Sequence, residues 1–338
     1  MNPEELKRSL AAAAARLDQV MREDLAPLAN RKLAAVLEHA LFAGGKRIRP
    51  LLTILADRLV RAATDKETPP APPDKSGDLD RLAISFEYLH AASLLHDDVI
   101  DLAEQRRGRP TVNLRWDDGT AILAGDFLHA RAMLLAGLAG GVACLRLIGS
   151  ATQAMVAAEF LQQEAASSRD WRQETYFAVL EGKTAALIAA ACESGVTASG
   201  GDPAQCKAVR TYGTNLGLAF QIIDDLLDYL GDPASTGKAT GNDLQEGKMT
   251  LPLLLARQGA TAAQKDELER ILLADPASRR SRFDRVRELL EQTGAFAACR
   301  TRAEKLIAAG TAALEIFPAS TDRDLLTALG QYVLSRKK

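Results

Sequence analysis

Cysteine is scarce in this chain and never close-set. Cys144, Cys192, Cys206 and Cys299 are far apart, and no pair has the short spacing of a zinc or dithiol redox motif, so they read as free thiols of a reducing compartment. Neither sign of charge is in excess: 42 Lys and Arg stand against 44 Asp and Glu, for a net charge of −2. With no basic surplus to neutralise a nucleic-acid backbone, nucleic acid is excluded as a bulk partner, and any phosphate recognition must be local. Long apolar runs are missing as well. The longest, residues 132–145, contains three glycines and stops at Arg146, short of the roughly 18 residues of a membrane span. Glu4 and Glu5 precede the early alanines, which is not the layout of a signal peptide. The reading is a cytoplasmic protein.

What is present is a chain of 338 residues, 47% hydrophobic and 25% charged, enough for a deep core. Leu6, Leu10, Ala14, Leu17, Val20 and Met21 recur at helical spacing and predict an amphipathic helix over 3–27. A second helix ends at the glycine break "AGGKRIRP". One long helical pattern runs from Arg81 to about Gln105; others cover 119–140, 141–166, 170–197 and 203–231, and about four shorter ones follow residue 248. Residues 65–79, rich in Pro, Asp and Lys, predict a surface loop, and glycine-rich 231–248 a second long loop. Strand-like alternation is almost absent. The expected fold is all-α, a large helical bundle forming a single domain over 1–338.

Two stretches conflict with that apolar background. "HDDVID" (residues 96–101) and "QIIDDLLDYL" (221–230) each carry two adjacent aspartates and another one turn on, within apolar flanks. Residues four apart share a helix face about 6 Å apart, so Asp97 pairs with Asp101 and Asp224 with Asp228. Like charges so placed destabilise a helix, and burying them unpaired costs several kcal/mol more. A lone D-D-x-x-D is commonly a solvated face; two copies in apolar surroundings ask for a counter-ion. Carboxylates without clustered His or Cys suit Mg²⁺, which keeps waters and bridges protein oxygens to substrate phosphates. Basic residues beside glycines complete the pattern: Lys46 and Arg49 after Gly44 and Gly45, Arg106 and Arg107 before Gly108, and Lys238 and Lys248 in the second loop.

The pieces "GGKRIRP", "LLHDDVIDLAEQRRGRPTVN", "GDFL", "GKTAAL", "FQIIDDLLDYLGD" and "GKATGNDLQEGKMTLPLL" lie in this order across residues 40–255, and the chain resembles the all-trans polyprenyl diphosphate synthases. The last 80 residues carry no comparable signature. The resemblance implies an isoprenoid-synthase bundle with a central active-site cavity. It also implies a Mg²⁺-dependent trans-prenyltransferase that ionises an allylic diphosphate, adds isopentenyl diphosphate to the cation and eliminates a proton. By motif, Asp97, Asp101 and Asp224 would hold three Mg²⁺, with Asp98, Asp225 and Asp228 supporting them. The allylic substrate, farnesyl or geranyl diphosphate, would meet Arg106, Lys183, Thr184, Gln221 and Lys238, with Lys248 closing the loop. Isopentenyl diphosphate would meet Lys46, Arg49, His90 and Arg107. His90 lies two turns before Asp97 on the same face, which favours a ligand over an ordinary core histidine. Lys183 sits in apolar "EGKTAALIAAAC", which favours a phosphate contact over a lysine snorkelling to solvent.

The resemblance further implies that product length depends on where a bulky side chain blocks a tunnel above Asp97. Ala92 and Ser93 leave this path open, with Leu89, Tyr88 and Phe86 farther along, and Phe127 or Met133 as other stops. The expectation is a product of C30–C50, centred on octaprenyl, with C20 or C15 as the alternative. A homodimer joined through residues 119–148 is expected, with no anchor and at most transient contact with a membrane surface. Two other classes compete. A terpene cyclase would lack an isopentenyl diphosphate site, against which "GGKRIRP" and Arg107 speak; an inactive helical partner subunit would have lost aspartates that are intact here.

Overall fold

The computed structural model describes residues 3–63, 77–231 and 240–336. Lys238, most of the 65–79 loop and the middle of the 231–248 loop lie outside the described residues. Among those described, the chain is helical apart from one two-residue hairpin. The helices are α1 (Pro3–Leu25), α2 (Arg31–Leu41), α3 (Ile48–Ala63), α4 (Asp78–Ile100), α5 (Val112–Arg115), α6 (Asp118–Ser168), α7 (Gln173–Leu180), α8 (Ala186–Ala198) and α9 (Pro203–Leu230). They continue as α10 (Asn242–Glu246), α11 (Leu251–Gly259), α12 (Ala262–Leu273), α13 (Pro276–Ser281), α14 (Phe283–Gln292), α15 (Ala295–Ala313) and α16 (Thr321–Leu334).

Three boundaries differ from the sequence reading. The pattern from Arg81 stops at Ile100, not near Gln105, because Leu102 takes a left-handed φ of 52° and residues 105–110 form the hairpin. Residues 119–166 form one assigned helix, yet Gly141 (φ 67°) kinks it at the expected junction. Six helices rather than about four follow residue 250; their short amphipathic turns blur into one another in a periodicity count. By length and composition, Asp118–Ser168 and Gln173–Ala198 are also long and apolar enough to cross a membrane, although 67% of the second window is buried inside the protein.

The described residues form two compact units interleaved along the chain. The first comprises Met1–Thr152, Leu187–Arg210 and Leu314–Ala328. Its centre is α4, where residues 82–89 are buried without interruption, the mark of a core helix with no polar face. In α8, residues 187–196 are likewise all buried. Gly195 is essential there, since a Cβ would come within 2.1 Å of the Thr53 carbonyl in α3. The second unit comprises Gln153–Ala186, Thr211–Ala313 and Leu329–Lys338. Its core is built around Tyr229, Leu253, Leu254 and Leu289, all at most 2% exposed. Tyr229 stacks on Phe283 with ring centroids 6.0 Å apart.

Candidate active site

In the first unit the glycine pair sets the geometry. Gly44 (φ 91°) and Gly45 (φ 149°) turn the chain into α3, and a Cβ on Gly45 would meet the guanidinium groups of Arg47 and Arg107 at 2.9 Å. The loop therefore packs directly on arginine. Arg47, which sequence reasoning passed over, is 3% exposed and fully spent inward. It donates to Asp18 at 2.7 Å, to Glu87 at 2.7 Å and to the Leu41 carbonyl at 2.6 Å. Arg49, two residues on, has the opposite character: its Nε is buried with no acceptor among the described residues. Burial and, more weakly, Arg107 depress its basicity, while Glu87 opposes them.

Arg107 is carried by the hairpin. Arg107 (φ 53°) and Gly108 (φ 73°) form its two-residue turn between Arg106 and Arg109. Positive φ at both positions suits the turn that matches strand twist, and only at Gly108 does it come without strain. His90 lines a cleft with Arg47, Arg106 and Arg107 that also reaches Asp98. Burial first, then Arg49 and Arg107, push the His90 imidazole well below its usual range. The cleft thus gathers half-buried Arg106 and exposed Arg107 beside His90, cations whose donors suit an anion with several oxygens. Lys46 lies exposed on the loop that leads into α3.

The first aspartate set divides in two. Asp98 is 3% exposed and held by Arg106, with Arg106 Nε at 2.9 and 3.1 Å from its two oxygens and an Nη at 2.7 Å. Asp97 and Asp101 occupy the last turn of α4, where the Asp101 amide donates to the Asp97 carbonyl at 2.8 Å. Two carboxylates at the negative end of a helix dipole deepen the local negative potential, which a bound cation offsets. Higher in α4, Leu89 and Ala92 are 3% and 2% exposed, and half-buried Ser93 donates to the His90 carbonyl at 2.9 Å. Tyr88 is fixed: its hydroxyl donates to Asp24 at 3.0 Å, and Asp24 is paired with Arg131.

The second unit holds its own cleft, bordered by Lys183, Thr184, Gln221, Asp224, Asp225 and Lys248 among others. Lys183 lies on a π-helical turn, Glu181–Ala185, between α7 and α8. Gly182 lets that turn lie against α6, since a Cβ would meet the Ala154 carbonyl at 2.7 Å. Lys183 Nζ pairs with Glu159 at 2.6 Å, and Thr184 donates to Gln221 at 3.2 Å. Such wide turns recur at functional sites; the sequence signal was "GKT" inside an otherwise apolar helix.

The second aspartate set divides as the first does. Asp225 is buried and accepts hydrogen bonds from the Tyr176 hydroxyl at 2.8 Å and Gln221 at 3.0 Å. Burial and Asp243 raise its proton affinity well above the usual carboxylate range. Asp228 accepts the amides of Asn242 and Asp243 at 3.2 Å each, capping α10 and tying down the second loop. Asp224 is the outward member, 43% exposed, with Arg336 3.1 Å from its Oδ1. Asp243 was missed by sequence reasoning: burial and Asp228 push it up to about 6, and Lys248 lies 3.7 Å away. Its place in "GNDLQEGK" gave no periodic signal.

Both sets offer hard carboxylate oxygens. Among the described residues, no three acidic, His or Cys side chains converge as a preformed cage. That donor set fits Mg²⁺, which binds through one or two carboxylates and completes its shell with water and substrate oxygens.

Comparison with known proteins bears on the same residues. The Polyprenyl synthetase family model matches residues 30–290. The all-trans-nonaprenyl-diphosphate synthase (geranyl-diphosphate specific) of Rhodobacter capsulatus is 35% identical over 325 residues, 95% of this chain and 94% of that protein. The octaprenyl diphosphate synthase of Escherichia coli (strain K12) is 34% identical over 295 residues, 87% of each chain. Among solved structures, the polyprenyl synthase of Caulobacter crescentus CB15, complexed with calcium and isoprenyl diphosphate, superposes with a TM-score of 0.85 at 36% identity, covering 99% of this chain and 98% of that one.

Proposed function

Because the chain belongs to the polyprenyl synthetase family, we propose that it condenses isopentenyl diphosphate with farnesyl or geranyl diphosphate to give a long all-trans polyprenyl diphosphate, C30–C50 with octaprenyl favoured. The observation that carries the reading is the contrast between Arg47 and Arg49: one arginine is fully consumed by two carboxylates and a backbone carbonyl, and its neighbour keeps a buried donor without an acceptor among the described residues beside His90 and Arg107. An orphan buried donor is costly and marks a place where an anion completes the site. Arg49, Arg107, His90 and Lys46 bind isopentenyl diphosphate in this reading; a neutral His90 donates one hydrogen bond without adding a charge.

Lys183, Thr184, Gln221 and Lys248, with Arg106 and Lys238, hold the allylic diphosphate. Asp97, Asp101 and Asp224 hold the divalent ions. Bound Mg²⁺ would supply charge neutralisation for the departing diphosphate. Asp98 and Asp225 keep their helices seated under that load through Arg106 and through Tyr176 and Gln221. No side chain is assigned as general base; the proton passes to the released diphosphate.

Small Ala92 and Ser93 leave the path above Asp97 open, and Tyr88, pinned by Asp24, is the stop. The long-chain names of two relatives support this length. The outward face of α6 supports a homodimer: Leu123, Leu134, Leu138 and Val142 are 50–73% exposed at helical spacing, and a second copy covers them. A monomer by light scattering contradicts that assignment.

The test is to incubate purified protein with Mg²⁺, isopentenyl diphosphate and labelled farnesyl diphosphate and chromatograph the products. A long ladder ending near C40 is expected, and chelation of the metal should abolish it. A C15 or C20 endpoint refutes the length assignment; consumption of farnesyl diphosphate without isopentenyl diphosphate indicates a cyclase; no turnover indicates a partner subunit.

A further inference from the structure

Arg336 follows α16, in a region where the sequence offered no signature. Its side chain is 14% exposed. One Nη donates to Asp224 Oδ1 at 3.1 Å, and Cζ lies 4.5 Å from the centroid of the Phe220 ring. Phe220 and Asp224 are four residues apart on α9, so one guanidinium stacks on the first and pairs with the second. Nε and the other Nη are buried and have no acceptor among the described residues. A guanidinium kept for stability alone would have its donors satisfied. This one is held chiefly by a single carboxylate, the outward aspartate of its set.

Resting on the reading that Asp224 is a divalent-ion ligand, we propose that Arg336 is the resident counter-cation of Asp224: it occupies this carboxylate in the metal-free protein and competes with the divalent ion for it, so that metal loading loosens the segment after α16. Without such a cation, Asp224 would face Asp225 and Asp243 across the same cavity with no fixed positive charge on its outer oxygen. Two cations contending for one carboxylate oxygen are negatively linked, and the linkage is reciprocal: removing Arg336 tightens metal binding, and adding metal weakens the seating of Arg336.

The test measures Mn²⁺ binding to substrate-free protein by calorimetry and electron paramagnetic resonance. Arg336→Met keeps the length of the side chain and its contact with Phe220 while removing the charge; Arg336→Gln serves if the first variant folds poorly. The expected result is tighter Mn²⁺ binding by roughly threefold or more, together with faster hydrogen exchange in residues 329–338 of the wild-type protein when Mn²⁺ is added. Unchanged or weaker binding in the folded variant overturns the proposal, as does exchange in that segment that ignores metal. Asp224→Asn separates the two levels. If it loses one Mn²⁺ equivalent while the Arg336 variants bind as wild type, only this inference fails; if it retains full stoichiometry, the assignment of Asp224 as a ligand fails with it.

Discussion

Replacing Arg47 and Arg49 separately by methionine should give opposite phenotypes from positions two residues apart. Arg47 is bound on three sides, and Glu87, one of its partners, has a side chain only 6% exposed. Removing the guanidinium strands that carboxylate in the core, a loss of about 3–5 kcal/mol. At about 2–4 °C per kcal/mol for sizeable domains, the melting temperature falls by about 6–20 °C. Asp18, 34% exposed, can turn to water and adds little. Arg49→Met removes a buried donor that nothing among the described residues satisfies, which relieves about 1 kcal/mol or leaves stability unchanged. It also deletes a charge-assisted contact to the incoming diphosphate, worth about 1.5–3 kcal/mol, so KM for isopentenyl diphosphate rises about 10- to 100-fold. Calorimetry and steady-state kinetics on both variants decide the matter. The double variant Arg47→Met/Glu87→Met should recover most of the lost stability. If Arg47→Met melts like wild type, or Arg49→Met loses stability while its KM stands still, the division of labour between these arginines is wrong.

Ala92→Phe places a ring where α4 is closed to solvent, so product chromatography should show a shorter endpoint and calorimetry a loss of about 1–3 kcal/mol; an unchanged ladder refutes the reading of a tunnel past Ala92. Gly182→Ala drives a methyl group against the Ala154 carbonyl, and shifting the π-helical turn should cost about 1–3 kcal/mol and raise KM for the allylic substrate more than for isopentenyl diphosphate. His90 stays neutral in the folded chain while an unfolded histidine charges near pH 6.5. Below that pH the unfolded state binds the extra proton, so the stabilising contribution present above pH 6.5 is lost as pH falls. Urea unfolding at pH 7.5 and 5.5 should show a drop about 1.4 kcal/mol larger for wild type than for His90→Asn; equal drops refute it.

Much of this arrangement is legible in sequence because its signals are local. Helical periodicity placed α1, α4 and α9, and the kink at Gly141 fell where three glycines interrupt an apolar run. The glycine pair before α3 and the "RRG" turn announced backbone that must adopt left-handed geometry beside cations. What stayed hidden depends on pairings between distant residues. Nothing in "KRIR" distinguishes Arg47 from Arg49; the difference arises from Asp18 and Glu87, which the fold brings to one of them. Lys183 stood out by its apolar surroundings, but the π-helical turn that carries it leaves no trace in periodicity. Asp243 and Arg336 acquire meaning only beside Asp228 and Asp224.

The middle aspartate of each motif has a practical bearing on mutational scans. Asp98 and Asp225 are masonry: one is bolted to Arg106, the other to Tyr176 and Gln221, and each oxygen of both already accepts a hydrogen bond. Replacing them should deplete the amount of folded protein harvested from cells, whereas replacing Asp97 or Asp224 should leave the yield intact and silence the protein that is made. A screen scoring turnover alone would merge these two failures into one acidic signature.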